Sequence, residues 1–268
     1  MKADIIWLDS TDSTNDAVRR RISDIDNLSV VSALEQSAGR GQRGNSWASL
    51  PGENLTFSIA LKFSVPGSME EILPYLKAHD QFVLTEIASL SVVNFLSGHG
   101  IEAKIKWPND IYIGRRKICG MLIENSVRGN YLSSSIIGIG LNINQRNIDV
   151  NIPNPTSMAL CRPDSHFDIH ICLEEFLEVF KKNLTRYLAY RTEAEKAEVY
   201  SLLRRDYLAN LWLLDEMADF SESRSSRKFH GIIRGLSPIG LLLIEDTEKG
   251  ELREFAFKDI SYIISKKL

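Results

Sequence analysis

Between residues 103 and 144 three apolar stretches follow one another with only short turns between them. IKWPNDIYI and KICGMLIEN flank the turn GRRK, and YLSSSIIGIGLNIN follows the turn RGN. Strands joined by so few residues must pair antiparallel, since a parallel neighbour needs a crossover of a dozen residues or more. This block therefore predicts the hairpin-rich centre of a sheet. Around it, apolar runs predict strands at about 29–36 and 54–63 and a helix at about 80–97. Ser13, followed three residues later by Asp16 ahead of AVRRRI, predicts a helix start with a capping side chain and an acidic first turn. S-T-N at 13–15 then lies at a strand-to-helix junction.

Downstream the period changes. Ile169, Cys172, Leu173, Phe176, Leu177, Phe180, Leu184, Tyr187 and Leu188 recur at three and four, which predicts an amphipathic helix over 168–190, with a second at about 193–209. Beyond it come short apolar runs, LWLLDEM, FHGIIRGL, GLLLIED and REFAFKDISYII, separated by SESRSSRK, SPIG and TEKG. That texture predicts a small β-barrel of about sixty residues on an α/β domain of about 210. The expected units are 1–210 and 211–268.

A net charge of -3 over 268 residues gives no overall pull toward nucleic acid or an anionic membrane, so a basic site must be local. The N-terminal apolar run stops at an aspartate after four residues, unlike a signal peptide or a spanning helix, and no later stretch is expected to cross a bilayer. Cys119, Cys161 and Cys172 are odd in number and scattered, which fits a reducing, cytoplasmic compartment.

The loop QSAGRGQRGNSW, 36–47, joins two predicted strands and carries glycine and arginine without an aliphatic residue. Gly39, Gly44 and Ser46 have the spacing of a nucleotide phosphate loop, but Asn45 replaces its lysine and WASLPGEN follows where a helix should open, so that reading is rejected. Glycine lets backbone N–H groups approach an anion and arginine offers a planar charged fork. A solvated connecting loop explains the loop equally well.

Lys106, in KWPND, falls in a half-buried strand, where a lysine is costly unless it faces an anion or snorkels to water. Glycines alternating in GIGLNIN, 138–144, let a ligand lie on the strand face beside Asn142, or simply accommodate an aromatic ring. His166 and His170 lack the glutamate of a zinc helix, and Arg115, Arg116 and Lys117 fit a solvated turn.

Taken in order, S-T-N at 13–15, QSAGRGQRGNSW, KWPNDIYI-x-x-x-KICGMLIE from 106 to 124, GIGLNIN and PTSM at 155–158 resemble the biotin protein ligases. The resemblance implies a fold related to class II aminoacyl-tRNA synthetases, a mixed sheet flanked by helices, with an SH3-like C-terminal domain. It is to the ligase-only type, which lacks the DNA-binding domain. It implies that Ser13, Thr14, Asn15 and Gln36 bind the polar head of biotin, and that Gly120, Gly138 and Gly140 belong to the same site. Arg40, Gly41 and Gln42 would meet the biotin carboxylate and phosphate, Arg43 the nucleotide phosphates; Trp47 would pack between the ligands and Asn142 would contact ATP. Gln42 and Asn45 stand where the most arginine-rich form of the loop, GRGRRGR, has arginines, and an amide cannot neutralise an anion.

The implied reaction has two steps: ATP-dependent formation of biotinyl-5′-adenylate, then transfer to a lysine of the biotin carboxyl carrier domain of carboxylases. Lys106 and Arg40 are the expected catalytic residues, with Lys106 bridging the carboxylate and the α-phosphoryl oxygens. ATP and biotin are the expected substrates. Mg²⁺ is expected without assignable ligands, and no nucleic acid or membrane partner is expected of a monomer or homodimer. The alternatives are a lipoate or octanoyl ligase of the same fold, and a non-catalytic biotin sensor.

Overall fold

The computed structural model describes residues 4–66, 73–147 and 154–264. It opens with β1 (Ile5–Thr11), α1 (Thr14–Arg21), β2 (Val30–Gln36) and β3 (Leu55–Lys62), followed by the long helix α2 (Phe82–Gly98). Of β4 (Lys104–Lys106), β5 (Asp110–Ile113), β6 (Arg116–Arg128) and β7 (Tyr131–Leu141), the last three form the two expected hairpins, while the stretch IKWPNDIYI divides at 107–109 into β4 and β5, which pair with each other. These seven strands make one mixed sheet in the order β1-β2-β3-β7-β6-β5-β4, parallel at β1–β2 and antiparallel elsewhere. Gly114, at φ 57°, turns β5 into β6 where a side chain would strain the backbone.

Period-two alternation divides this sheet into two chemically different faces. Val30, Ile59, Leu61, Ile137, Ile139 and Leu141 point into the main core, where α2 and α4 (Ile169–Leu188) cover them. The short α3 (Met158–Cys161), which the sequence did not suggest, precedes α4. Phe176 on α4 meets Phe57 with ring centroids 5.2 Å apart, and each fully buried side chain of this size stabilises the fold by about 1.5–3 kcal/mol. The alternate residues of the opposite face are small. Val31, Ala60 and Ile136 there meet Ala17 and Val18 of α1, and beyond that patch the face carries Thr56, Ser58, Gly138, Gly140 and Gly120. The small residues leave a trough.

Ala78–Gly98 is long and apolar enough, at mean hydropathy 1.2, to match a membrane span by length and composition, contrary to the expectation that no stretch would. Its residues Val83, Leu84, Ile87, Val92 and Leu96 are buried in the core, so its apolar character comes from being covered on several sides.

After α5 (Glu193–Ala209) the chain builds β8 (Met217–Glu222), β9 (Lys228–Leu236), β10 (Leu242–Asp246), β11 (Glu251–Phe255) and β12 (Ile260–Tyr262). They form a five-stranded antiparallel sheet in the order β11-β10-β9-β8-β12, which is the small β unit expected of the tail. It does not stand apart. The Trp107 indole Nε1 donates to the Gly240 carbonyl at 3.0 Å, Trp212 N donates to Ile105 O at 2.8 Å, and Trp107 meets Phe257 edge-on at 6.0 Å. These contacts seat the second sheet over the β4 edge of the first.

Candidate functional site

A cleft of about 280 Å³ opens over the small-residue face, bounded by the 39–47 loop on one side and the C-terminal sheet on the other. Ser13, Thr14, Asn15, Gln36, Arg40, Gly41, Gln42, Trp47, Lys106, Gly120, Gly138 and Gly140 all line it. Stretches far apart in sequence are thus brought to one place.

Its floor is a network of short polar side chains. Ser58 Oγ donates to Asn15 Oδ1 at 2.6 Å, and Asn15 Nδ2 donates to Glu124 Oε2 at 2.7 Å and to Leu122 O at 3.2 Å. A Cβ at Gly138 would overlap the Asn15 amide, so this glycine gives Asn15 its place. The expected cap of α1 is corrected here: Ser13 occupies the N-cap position, but its side chain bonds to no helix amide. Gln36, at the end of β2, supplies the acceptor instead, taking the Thr14 N–H at 2.8 Å. Ser13 is buried and turned to the cleft.

The loop folds back on itself rather than opening a helix, which supports the rejection of the phosphate-loop reading. Gly41 N donates to Asn45 O at 2.7 Å, Trp47 N donates to Gly39 O at 2.9 Å, and Gln42–Gly44 form a single 3-10 turn. Trp47 is carried across the trough. A Cβ at Gly140 would overlap its indole, and one at Gly120 would stand 3.1 Å from it; β6 and β7 pair these two glycines directly. Trp47 Nε1 and Gln42 Oε1 are buried without a hydrogen-bond partner, a condition that costs about 1–3 kcal/mol per group. Arg40 is held by Asp16 at 2.8 Å and Glu124 at 3.1 Å, a cluster that Arg19 shares.

At the other end Lys106 projects from β4. Its Nζ lies 5.1 Å from the Tyr112 ring centroid and 4.9 Å from that of Tyr262, within reach of cation–π attraction. Burial, aided by the Asp110 carboxylate, pushes the Tyr112 phenol far above its usual range; burial does the same to Tyr262. Both rings are therefore neutral at physiological pH. Beside them Lys117 pairs with Asp110 at 2.7 Å and lies 5.7 Å over the Trp47 ring.

Two assigned residues stand differently. Asn142 is not among the cleft residues; its amide donates to Thr156 O at 2.9 Å and ties the 155–158 segment to the end of β7. The Arg43 side chain lies outside the described residues. Sequence reasoning missed Lys117, Asp16, Glu124 and Tyr262 as parts of this site. Lys117 reads as part of a solvated turn until β6 is drawn as starting at Arg116, and Tyr262 carries no local signal because it arrives from the other sheet. His170 packs on Trp7 at 4.1 Å, and no group of three His, Cys, Asp or Glu that could hold a metal exists among the described residues.

The sequence profile of the biotin/lipoate A/B protein ligase family matches residues 7–142, just over half of the chain. A biotin--[acetyl-CoA-carboxylase] ligase of Paracoccus denitrificans is 26% identical over 239 residues, which cover 87% of this chain and 91% of the relative. A bifunctional ligase/repressor, BirA, of Bacillus subtilis is 36% identical over 118 residues, 44% of this chain and 33% of the relative, so the chain spans about a third of that protein. Among solved structures, a biotin protein ligase from Aquifex aeolicus in complex with biotin and ATP superposes with a TM-score of 0.75 at 26% identity, covering 98% of this chain and 99% of that one.

Proposed function

The chain belongs to the biotin/lipoate A/B protein ligase family, and from that premise we propose that it joins biotin to ATP as biotinyl-5′-adenylate and passes the biotinyl group to a lysine of the carrier domain of a biotin-dependent carboxylase. The observation that carries this reading is the convergence on one cleft of the motif residues and Lys106. Named relatives and a neighbour that binds both biotin and ATP support it.

Adenylation brings two anions together, so the site must supply positive charge and position. Lys106 bridges the biotin carboxylate and the α-phosphoryl oxygens. Ser13, Thr14, Asn15 and Gln36, already bonded into a fixed floor, present donors and acceptors to the polar head of biotin. Trp47, on its glycine trough, separates the two ligands, and its unpartnered Nε1 together with Gln42 Oε1 offers one donor and one acceptor to polar ligand groups. Arg40 joins the clamp by leaving Asp16 and Glu124, while Arg43 meets the nucleotide phosphates. Asn142 serves the nucleotide end indirectly, by holding the 155–158 segment in place. In the second step the acceptor amine attacks the mixed anhydride and AMP leaves, with the loop excluding water from the competing hydrolysis.

Asp110 is the carboxylate nearest Lys106 in register and is taken by Lys117. Without an acidic cage among the described residues, Mg²⁺ fits as an ion carried mainly by the nucleotide, where it would neutralise the leaving pyrophosphate. We place the catalytic domain at 1–210 and the small β domain at 211–268, on the end of α5 at Ala209 and the start of β8 at Met217. The three free cysteines favour the cytoplasm.

The test is biotin-dependent exchange of labelled pyrophosphate into ATP, run beside lipoate. Exchange with biotin alone is expected, falling by about 10²–10³-fold in Lys106→Ala with the fold retained. Exchange with lipoate instead, or biotin binding without exchange, overturns the assignment.

A further inference from the structure

Lys106 ends β4, and its register partner across β5 is Asp110. A lysine has a long stem with several rotatable bonds, and its strongly hydrated point charge has no intrinsic direction. Something must aim it into the cleft. Two ring faces flank its ammonium. Tyr112 stands two residues along β5, and Tyr262 comes from β12 of the other sheet, at 5.1 and 4.9 Å from Nζ. Asp110, the register partner of Lys106, pairs with Lys117 at 2.7 Å.

Tyr262 is itself fixed. Its ring meets Phe220 at 5.3 Å and Trp212 at 5.7 Å, and β12 pairs with β8 from Ile260 to Tyr262. That sheet is tied to the first one beside Lys106, through Trp107 to Gly240 and Trp212 to Ile105. The phenol oxygen of Tyr262 is buried without a hydrogen-bond partner. What this side chain offers Lys106 is therefore its ring face.

We infer that Tyr262 is a positioning residue for adenylation: with Tyr112 it forms an aromatic clamp that aims the Lys106 ammonium at the reacting anions, so the C-terminal sheet completes the active site. The inference rests on the function proposed above. It does not make Tyr262 a catalytic residue, because Tyr262 acts through Lys106. A misaimed lysine loses rate in the chemical step, while the biotin floor at Ser13, Asn15 and Gln36 lies elsewhere in the cleft and keeps its bonds.

The experiment is pyrophosphate exchange by the full chain, with kcat and KM for biotin and ATP measured separately and thermal melting in parallel. Tyr262→Phe is expected to keep the wild-type rate, and Tyr262→Leu to lower kcat about tenfold with KM for biotin little changed. Tyr262→Leu also removes packing against Phe220 and Trp212, so a second series holds shape constant. Phenylalanine and then di- and trifluorinated phenylalanine are incorporated at 262, which weakens the ring's attraction for a cation in steps. A stepwise fall in kcat at constant Tm supports the clamp. A flat series, with wild type active and Lys106→Ala inactive, overturns the clamp alone. Full biotin-dependent exchange in Lys106→Ala removes Lys106 from the mechanism and overturns the clamp while the proposed function stands; wild type without exchange overturns both.

Discussion

At the scale of single residues, the glycines on β6 and β7 set the height of the cleft floor. The Gly140 backbone lies in ordinary strand geometry, so an added Cβ strains nothing in the chain itself; it meets the rigid Trp47 indole instead. Gly140→Ala should therefore displace Trp47, raise KM for ATP and cost about 1–3 kcal/mol of stability in melts, as overpacked sites do. In a double-mutant cycle Trp47→Ala should relieve most of that cost, since the two residues are in direct contact. Additive melting shifts would mean that the indole does not rest on this glycine. The sequence allowed two uses for these glycines, a ligand on the strand face or room for an aromatic. Gly140 has the second use, under the Trp47 indole, while Gly138 makes room for the Asn15 amide. The sequence also placed Ser13 at a helix start but misassigned the cap, which Gln36 makes from 22 residues downstream. A capping side chain from another strand has no local pattern to reveal it.

Elements were legible wherever one face is buried and the period is clean. The strands expected at 29–36 and 54–63 appear as Val30–Gln36 and Leu55–Lys62, and the helix expected at 168–190 appears as Ile169–Leu188. α3 was missed because four residues cannot establish a period. The hairpin of β10 and β11 depends on a charge that periodicity does not report. Asp246 is buried at the end of β10, accepts from Arg227 at 2.7 Å, and takes the N–H groups of Glu248 and Lys249 across the turn. The Arg227 guanidinium, and then these amides, hold its carboxyl below its ordinary value of 3.8. A depressed pKa stabilises the fold above the unfolded value, and that stability is lost as pH falls through the folded one. Asp246→Asn should lower the Tm at pH 7, and the gap to wild type should narrow as pH falls below 3.8. A gap of constant size between pH 7 and pH 3 would count against the charge and leave only the turn bonds.

At the scale of the whole molecule, the two sheets are joined by a buried charge as well as by apolar packing. Glu86 on α2 is almost fully buried and accepts from Arg204 Nε on α5 at 2.5 Å, while Arg204 Nη1 donates to Ser237 O at 2.6 Å and Nη2 to Pro238 O at 3.4 Å. The sequence marked the change of texture near residue 210 but not this joint, because partners more than a hundred residues apart leave no trace in local spacing. Burial raises the Glu86 carboxyl above 4.5, and Arg204 opposes that rise. The ionised form thus weighs against the fold as pH rises, and losing Arg204 makes it weigh more. Arg204→Ala should cost about 3–5 kcal/mol at pH 7, the usual loss when one partner of a buried pair is removed, and the cost should shrink as acid protonates Glu86. Replacing both, as Glu86→Leu with Arg204→Met, should recover much of the stability because no charge is left buried. It should not recover full exchange activity. The Ser237 and Pro238 carbonyls still lose their donor, the second sheet sits less firmly against α5, and Tyr262 is carried by that sheet. Melts and exchange rates on the single and double variants separate the two effects. A double variant with wild-type kcat would show that the joint holds the molecule together without aiming Lys106.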